Sequence, residues 1–235
     1  MTLLIADISQ RKAAIIAGLG LLLMTIFALF ADFFAFPAII VPGDATQTAS
    51  NIVANEELFR MAICSFFIVA IMDVIVAWAL YIVLRPVNRS LSLLTAWFRL
   101  VYTSILVFSL VFFVIALLLI GGSDYLAILG TDQLNALAML FIDAFREGWA
   151  VGLIFFGLHL ALLGYLVFIS DYIPKILGIL LILAGLSYLI DSFGRFLYPD
   201  LGISISEFLG WGELLLMFWL LLKGNKIPEI KYQDE

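Results

Sequence analysis

An all-α membrane bundle is the fold this sequence predicts, and three observations carry the prediction. Hydrophobic residues make up 65% of the 235 and charged residues only 13%, against about 45–50% and about 25% in an ordinary soluble domain. Apolar runs of spanning length, about 20 residues at ~1.5 Å rise each, can be placed six times along the chain. Lys and Arg crowd one set of connections and are missing from the other. The expected architecture is a polytopic bundle of six transmembrane helices, with an extra amphipathic helix on the outer face before the fourth span. Residues 1–235 read as a single integral membrane domain.

The first span covers about 13–36 and stops at Pro37 and Pro42, which cannot donate a backbone hydrogen bond. Its apolar core, Ala13–Ala31, is longer than the ~7–15 residues of a secretory h-region, and no A-x-A site follows, so it reads as a retained helix. The second, about 57–84, stops at Arg85-Pro86, and the third, about 90–120, at Gly121-Gly122. The fourth apolar stretch is too long. From Asp132 to Ile169 a straight helix would measure roughly 57 Å, against a hydrocarbon core of about 30 Å. A break near Gly148 would leave 132–147 as an interfacial helix and 147–169 as the span, whereas the alternative is one long helix projecting outward. The break is favoured, because Asp143, Arg146 and Glu147 at i, i+3 and i+4 form a self-paired polar face suited to an interface. The fifth span, about 174–198, opens on Pro174, whose missing N–H would be unpaired in a first turn anyway. In it Gly178, Gly185 and Ser192 recur every seven residues as a packing seam. The sixth is about 204–222.

With six spans, Arg11, Lys12, Arg85, Arg89, Lys175, Lys223, Lys226 and Lys231 all fall on one side. The opposite connections, around 42–56, 121–132 and 199–203, hold Asp and Glu but no Lys or Arg. The positive-inside rule then puts both termini in the cytoplasm. A single cysteine, Cys64, excludes an internal disulfide and any CxxC pair. A single histidine, His159, excludes bis-histidine haem and multi-histidine zinc sites. No nucleophile elbow, metal-ligand spacing or phosphate loop is present. No cofactor, metal or nucleic acid is therefore expected. The expected partners are membrane lipid and a small polar or ionic ligand.

Charge inside hydrocarbon costs roughly 2.5–3.5 kcal/mol per residue on insertion scales, so each such group must be answered from within the protein. Counted from the expected cytoplasmic ends, Asp73, Arg99, His159 and Glu213 each lie roughly 15–18 Å deep. Four costly side chains on four helices thus share one layer. Asp73 lies on a face with Ala62, Ala70, Ala77 and Tyr81, Arg99 with Ser92, Thr95, Tyr102 and Thr103, and Glu213 with Gly202, Ser206 and Gly210. These small and polar faces are expected to turn inward. A second layer nearer the outside would hold Arg60, Asp191 and Arg195, the last two at i and i+4. The seven form the candidate ligand- or ion-binding set, Glu213 first, because it has no neighbour of opposite sign on its own helix. The blander reading stands beside it: buried ion pairs often only set helix register, and a lone histidine is more often a packing residue.

The segments LYIVLRPVNRSLSLLTAWFRLVY and GLHLALLGYLVFISDYIPKILGILLILAGLSYLIDS, with VPGDATQTASNI and the late WGE, resemble a bacterial membrane-protein family defined as domain of unknown function 4386. The likeness runs from about Ala17 to Lys223 and is most specific at Arg85–Arg89 with Arg99. It implies a multi-span helical protein of a bacterial plasma membrane and supplies no activity or catalytic residue. Three functions compete: transport or binding of a small solute, ion or proton at the shared layer; a non-catalytic subunit or assembly factor whose charges specify packing; and an intramembrane lipid-modifying enzyme using His159 with a carboxylate. The last is the least favoured.

Overall fold

In the computed structural model, residues 8–122, 124–126, 128–198, 202 and 204–229 are described. Lys231, counted above on the basic side, and residues 199–201 and 203 of the last connection lie outside them. The described residues form helices joined by turns, without a strand among them. The long helices are α1 (Gln10–Leu29), continued by a π-turn at Phe30–Ala35 into α2 (Phe36–Ile39), then α4 (Glu56–Leu84), α5 (Arg89–Ile120), α6 (Thr131–Ile169) and α7 (Lys175–Leu197). Among the described residues, five segments are long and apolar enough to cross a membrane, Gln10–Ile39 being the first. The short helices are α3 (Ala45–Ala54), α8 (Ser206–Leu209) and α9 (Gly212–Lys223). The molecule is a helical membrane bundle.

Four details depart from the sequence expectation. The first helix does not stop at Pro37. Phe36 N–H reaches back five residues to the Ala31 carbonyl, and the widened turn lets the chain carry on to Ile39 across the residue that lacks a donor. The second departure is α3, which lies in what reads as a plain loop. Asp44 caps it by accepting from Gln47 N–H at 2.8 Å, and Asn51 Nδ2 donates to the Ile39 carbonyl at 3.0 Å, tying it to the end of α2.

The expected break at Gly148 and the separate interfacial helix at 132–147 are absent, because α6 is one helix of 39 residues. One interior glycine costs a helix only about 1 kcal/mol. Continuing through it lets Gly148 lie against the Ser109 side chain and keeps Phe145 and Trp149 in an aromatic cluster. Lastly, the sixth segment is discontinuous. Its longer piece, α9, has 12 residues, about 18 Å at helical rise, and is separated from α8 by Gly210 and Trp211.

The chain divides into two compact units, Met1–Leu22 with Met72–Val101 and Leu153–Glu235, and Leu23–Ile71 with Tyr102–Gly152. The second unit has an aromatic core. Phe113 and Phe145 stack at 4.0 Å between centroids, Phe36 lies 4.8 Å from Phe113, and Phe66 meets Trp149 edge-on at 5.2 Å. Offset and edge-on pairs of this kind add about 0.5–1.5 kcal/mol beyond burial. The first unit is built on small residues. A Cβ at Gly164 would lie 2.6 Å from the Gly178 carbonyl oxygen, and one at Gly185 would lie 2.6 Å from Ala161 N and the Gly157 oxygen. The seam expected at Gly178 and Gly185 is therefore a backbone-to-backbone approach of α6 and α7, completed by Gly157 and Gly164.

Candidate functional site

The first unit gathers the four residues expected to share a layer. Arg99 of α5 is the hub. Its Nε donates to Asp73 Oδ1 of α4 at 2.7 Å, and its Nη1 donates to Glu213 Oε1 of α9. Nη1 also lies 3.0 Å from His159 Nε2 of α6. The side chains of Asp73 and Arg99 are wholly buried and that of Glu213 is 16% exposed. Phe156, one turn before His159, presents its ring to the Arg99 guanidinium at 5.7 Å, an attractive cation–π distance.

The local sequence explains the convergence. Thr95, one turn before Arg99, turns its hydroxyl back to the Leu91 carbonyl at 2.8 Å, and its own carbonyl accepts from His159 Nδ1 at 2.9 Å. Ser92, a turn earlier, donates to the Tyr81 carbonyl at 3.0 Å and ties α5 to α4. Gly212 brings α9 close to α7, where a Cβ would lie 2.7 Å from the Leu180 oxygen. Glu213 therefore enters in the first turn of α9, where a carboxylate also meets the positive end of the helix dipole.

The hydrogen bonds assign the imidazole. A guanidinium has donors only, so His159 Nε2 must accept from Arg99, and Nδ1 must carry the proton given to Thr95. His159 is thus a neutral ring with both nitrogens engaged. Asp73 and Glu213 then share one guanidinium. With both carboxylates ionised the cluster carries one negative charge more than positive, and uncompensated charge in a buried site costs several kcal/mol. One proton or one small cation makes the cluster neutral.

Asp191 and Arg60 are engaged elsewhere. Asp191, read with Arg195 on its own helix, accepts from the backbone N–H groups of Ile205 at 2.9 Å and Ser206 at 2.7 Å. It holds the start of α8. Asp191→Asn keeps one strong acceptor and loses the other, so stability should fall by about 1 kcal/mol, a modest drop in melting temperature. Arg195 lies in the last turn of α7. Arg60 belongs to the other unit and is paired with Glu56 at 2.6 Å, both exposed. Asp143 and Arg146 of that unit form the expected i, i+3 pair at 3.7 Å.

Sequence reading passed over Asp32. It lies in the π-turn of the first span, half-buried, and a lone acid in an apolar run close before Pro37 was the signal available for it. The cleft around Ser170–Lys175 and Lys223–Ile227 and the one around Arg60, Cys64 and Gly121 are not lined by Asp73, Arg99, His159 or Glu213.

Comparison with known proteins places the chain. The profile described as Domain of unknown function (DUF4386) matches residues 16–224. The chain belongs to the DUF4386 family. An uncharacterized protein of Archaeoglobus fulgidus is 37% identical to this DUF4386 protein over 169 residues, which cover 72% of this chain and 87% of the relative. The family is thus present in a prokaryote. No solved structure matches the chain. All four cluster residues of this DUF4386 protein fall inside the matched region.

Proposed function

We propose that this DUF4386 protein moves or binds a small solute or ion in a prokaryotic plasma membrane, using the Asp73–Arg99–Glu213 cluster as a site for one proton or one monovalent cation. The observation that carries the reading is two carboxylates on one buried guanidinium beside a neutral imidazole. The break before Glu213 supports it, since interrupted helices whose ends face an ion are a recurring way of building such sites within a membrane. Both termini are taken to be cytoplasmic, on the basic side of the chain.

Exchange occurs at Glu213, the one carboxylate of the pair with a partly exposed side chain. Glu213→Gln removes the surplus negative charge while keeping a hydrogen-bond acceptor for Arg99. Reconstituted wild type is expected to collapse an imposed proton or sodium gradient faster than protein-free vesicles, read with an entrapped pH dye or radioactive sodium. Glu213→Gln is expected to match protein-free vesicles. Infrared difference spectra should likewise lose a protonated-carboxyl band in Glu213→Gln. Equal flux and equal spectra for wild type and variant would remove the proposal.

A second reading, in which the cluster only fixes helix packing, is favoured by the complete burial of Asp73 and Arg99. It predicts a folded Glu213→Gln with no change in flux. An intramembrane enzyme with His159 as general base finds no support in the geometry, because the Nε2 lone pair that would take a proton is already engaged by Arg99.

A further inference from the structure

A second site lies where α6 gives way to α7. There the turn after Ile169, the first residue of α7 and the end of α9 enclose a cleft of about 470 Å³. Lys175, Lys223 and Lys226 line it, with Asp171 as the carboxylate among its lining residues. Three lysines and one aspartate in the lining leave an excess of two positive charges. Among the described residues none of the three lysines forms an ion pair. Lys175 instead rests 5.8 Å from the centre of the Phe168 ring.

The walls are held by bonds between distant parts of the chain. Tyr172, in the turn, donates its hydroxyl to the Val83 carbonyl at 2.7 Å. Arg11 Nε donates to the Ile227 carbonyl at 2.8 Å and pins the segment after α9. Both bonds lie in the first unit. These bonds fix the walls of the cleft, and its lining holds three lysines against the single carboxylate of Asp171.

We infer that this cleft binds a phosphate-bearing anion through Lys175, Lys223 and Lys226. It sits at the ends of membrane-length helices, the level at which phospholipid headgroups lie, and Trp219 in its wall is the residue type that favours that boundary. A phosphodiester of an anionic lipid and a free phosphate would satisfy the lysines in the same way. The site shares no residue with the Glu213 cluster and does not depend on the function proposed above.

The test uses the full chain purified in mild detergent, exposed to phosphatidylglycerol and phosphatidylcholine together, with retained lipid counted by native mass spectrometry. Wild type is expected to retain phosphatidylglycerol on the order of tenfold over phosphatidylcholine. Lys223→Gln/Lys226→Gln should abolish the preference, and Lys223→Arg/Lys226→Arg should restore it. Lys12→Gln/Arg89→Gln removes equal charge outside the cleft and should leave the preference intact. In lipid-free detergent, a rise in melting temperature with inorganic phosphate that is absent from Lys223→Gln/Lys226→Gln would assign the same site to a soluble anion. The inference fails if wild type shows no lipid preference and no response to phosphate, or if the control variant loses as much as the cleft variant.

Discussion

Arg99→Met is expected to destabilise the protein by about 3–5 kcal/mol, the usual penalty for removing one member of a buried ion pair. The loss arises less from the broken bonds than from what remains. Asp73 and Glu213 would face each other with no cation, and His159 Nε2 would lose its donor. The measurement is a reversible unfolding curve in mixed micelles or a thermal melt. Neutralising the whole set with Asp73→Asn, Arg99→Met and Glu213→Gln should recover much of the loss, because no charge is then stranded. Such non-additivity marks groups acting as one network. If Arg99→Met melts like wild type, the cluster is not held by this guanidinium.

Gly164→Leu should be the other large effect, a loss of about 3 kcal/mol, at the upper end for an overpacked core. Its Cβ would meet the Gly178 oxygen at 2.6 Å and Ile182 N at 2.7 Å. These are backbone atoms and cannot swing aside as a side chain can, so α6 and α7 must part. Gly194→Ala provides the contrast: it lies on α7 with nothing within 4 Å of an added Cβ, and it should be neutral or slightly stabilising because alanine favours helix. Thermal melts of the two variants measure the difference, and equal melting would mean that the seam is not a close contact.

Much of this molecule is legible from spacing alone, and the reason is solvent. Hydrocarbon cannot satisfy a backbone amide, so apolar runs of spanning length must be helical. It also solvates charge poorly, so Asp73, Arg99, His159 and Glu213 had to find partners within the protein. Counting residues at helical rise predicts one layer for all four, and the structure brings their side chains together. The glycines at 178 and 185 are legible for the same reason, since a seven-residue repeat keeps small residues on one face.

Other features were not legible. Whether α6 breaks at Gly148 depends on Ser109, 39 positions earlier, and on the rings around Phe145 and Trp149, none of which is a local property of the Asp132–Ile169 stretch. The π-turn before Pro37 and the helix after Asp44 were set by hydrogen bonds that periodicity does not carry. Asp191 could be read only against its helical neighbour Arg195, whereas its oxygens hold amides 14 and 15 residues onward. The seam partners Gly157 and Gly164 lacked a reading until a second helix lay against them.

By itself, then, the sequence determined the helical class and the four residues that could not be left facing lipid, because the apolar solvent imposes those on any chain of this composition; the family follows from sequence similarity. The tertiary structure alone decided that one guanidinium serves two carboxylates and that the histidine is held neutral by its two partners. It also decided that the last segment is interrupted just before Glu213. Those outcomes rest on distances of a few ångströms between residues 26 to 114 positions apart, which only packing can set.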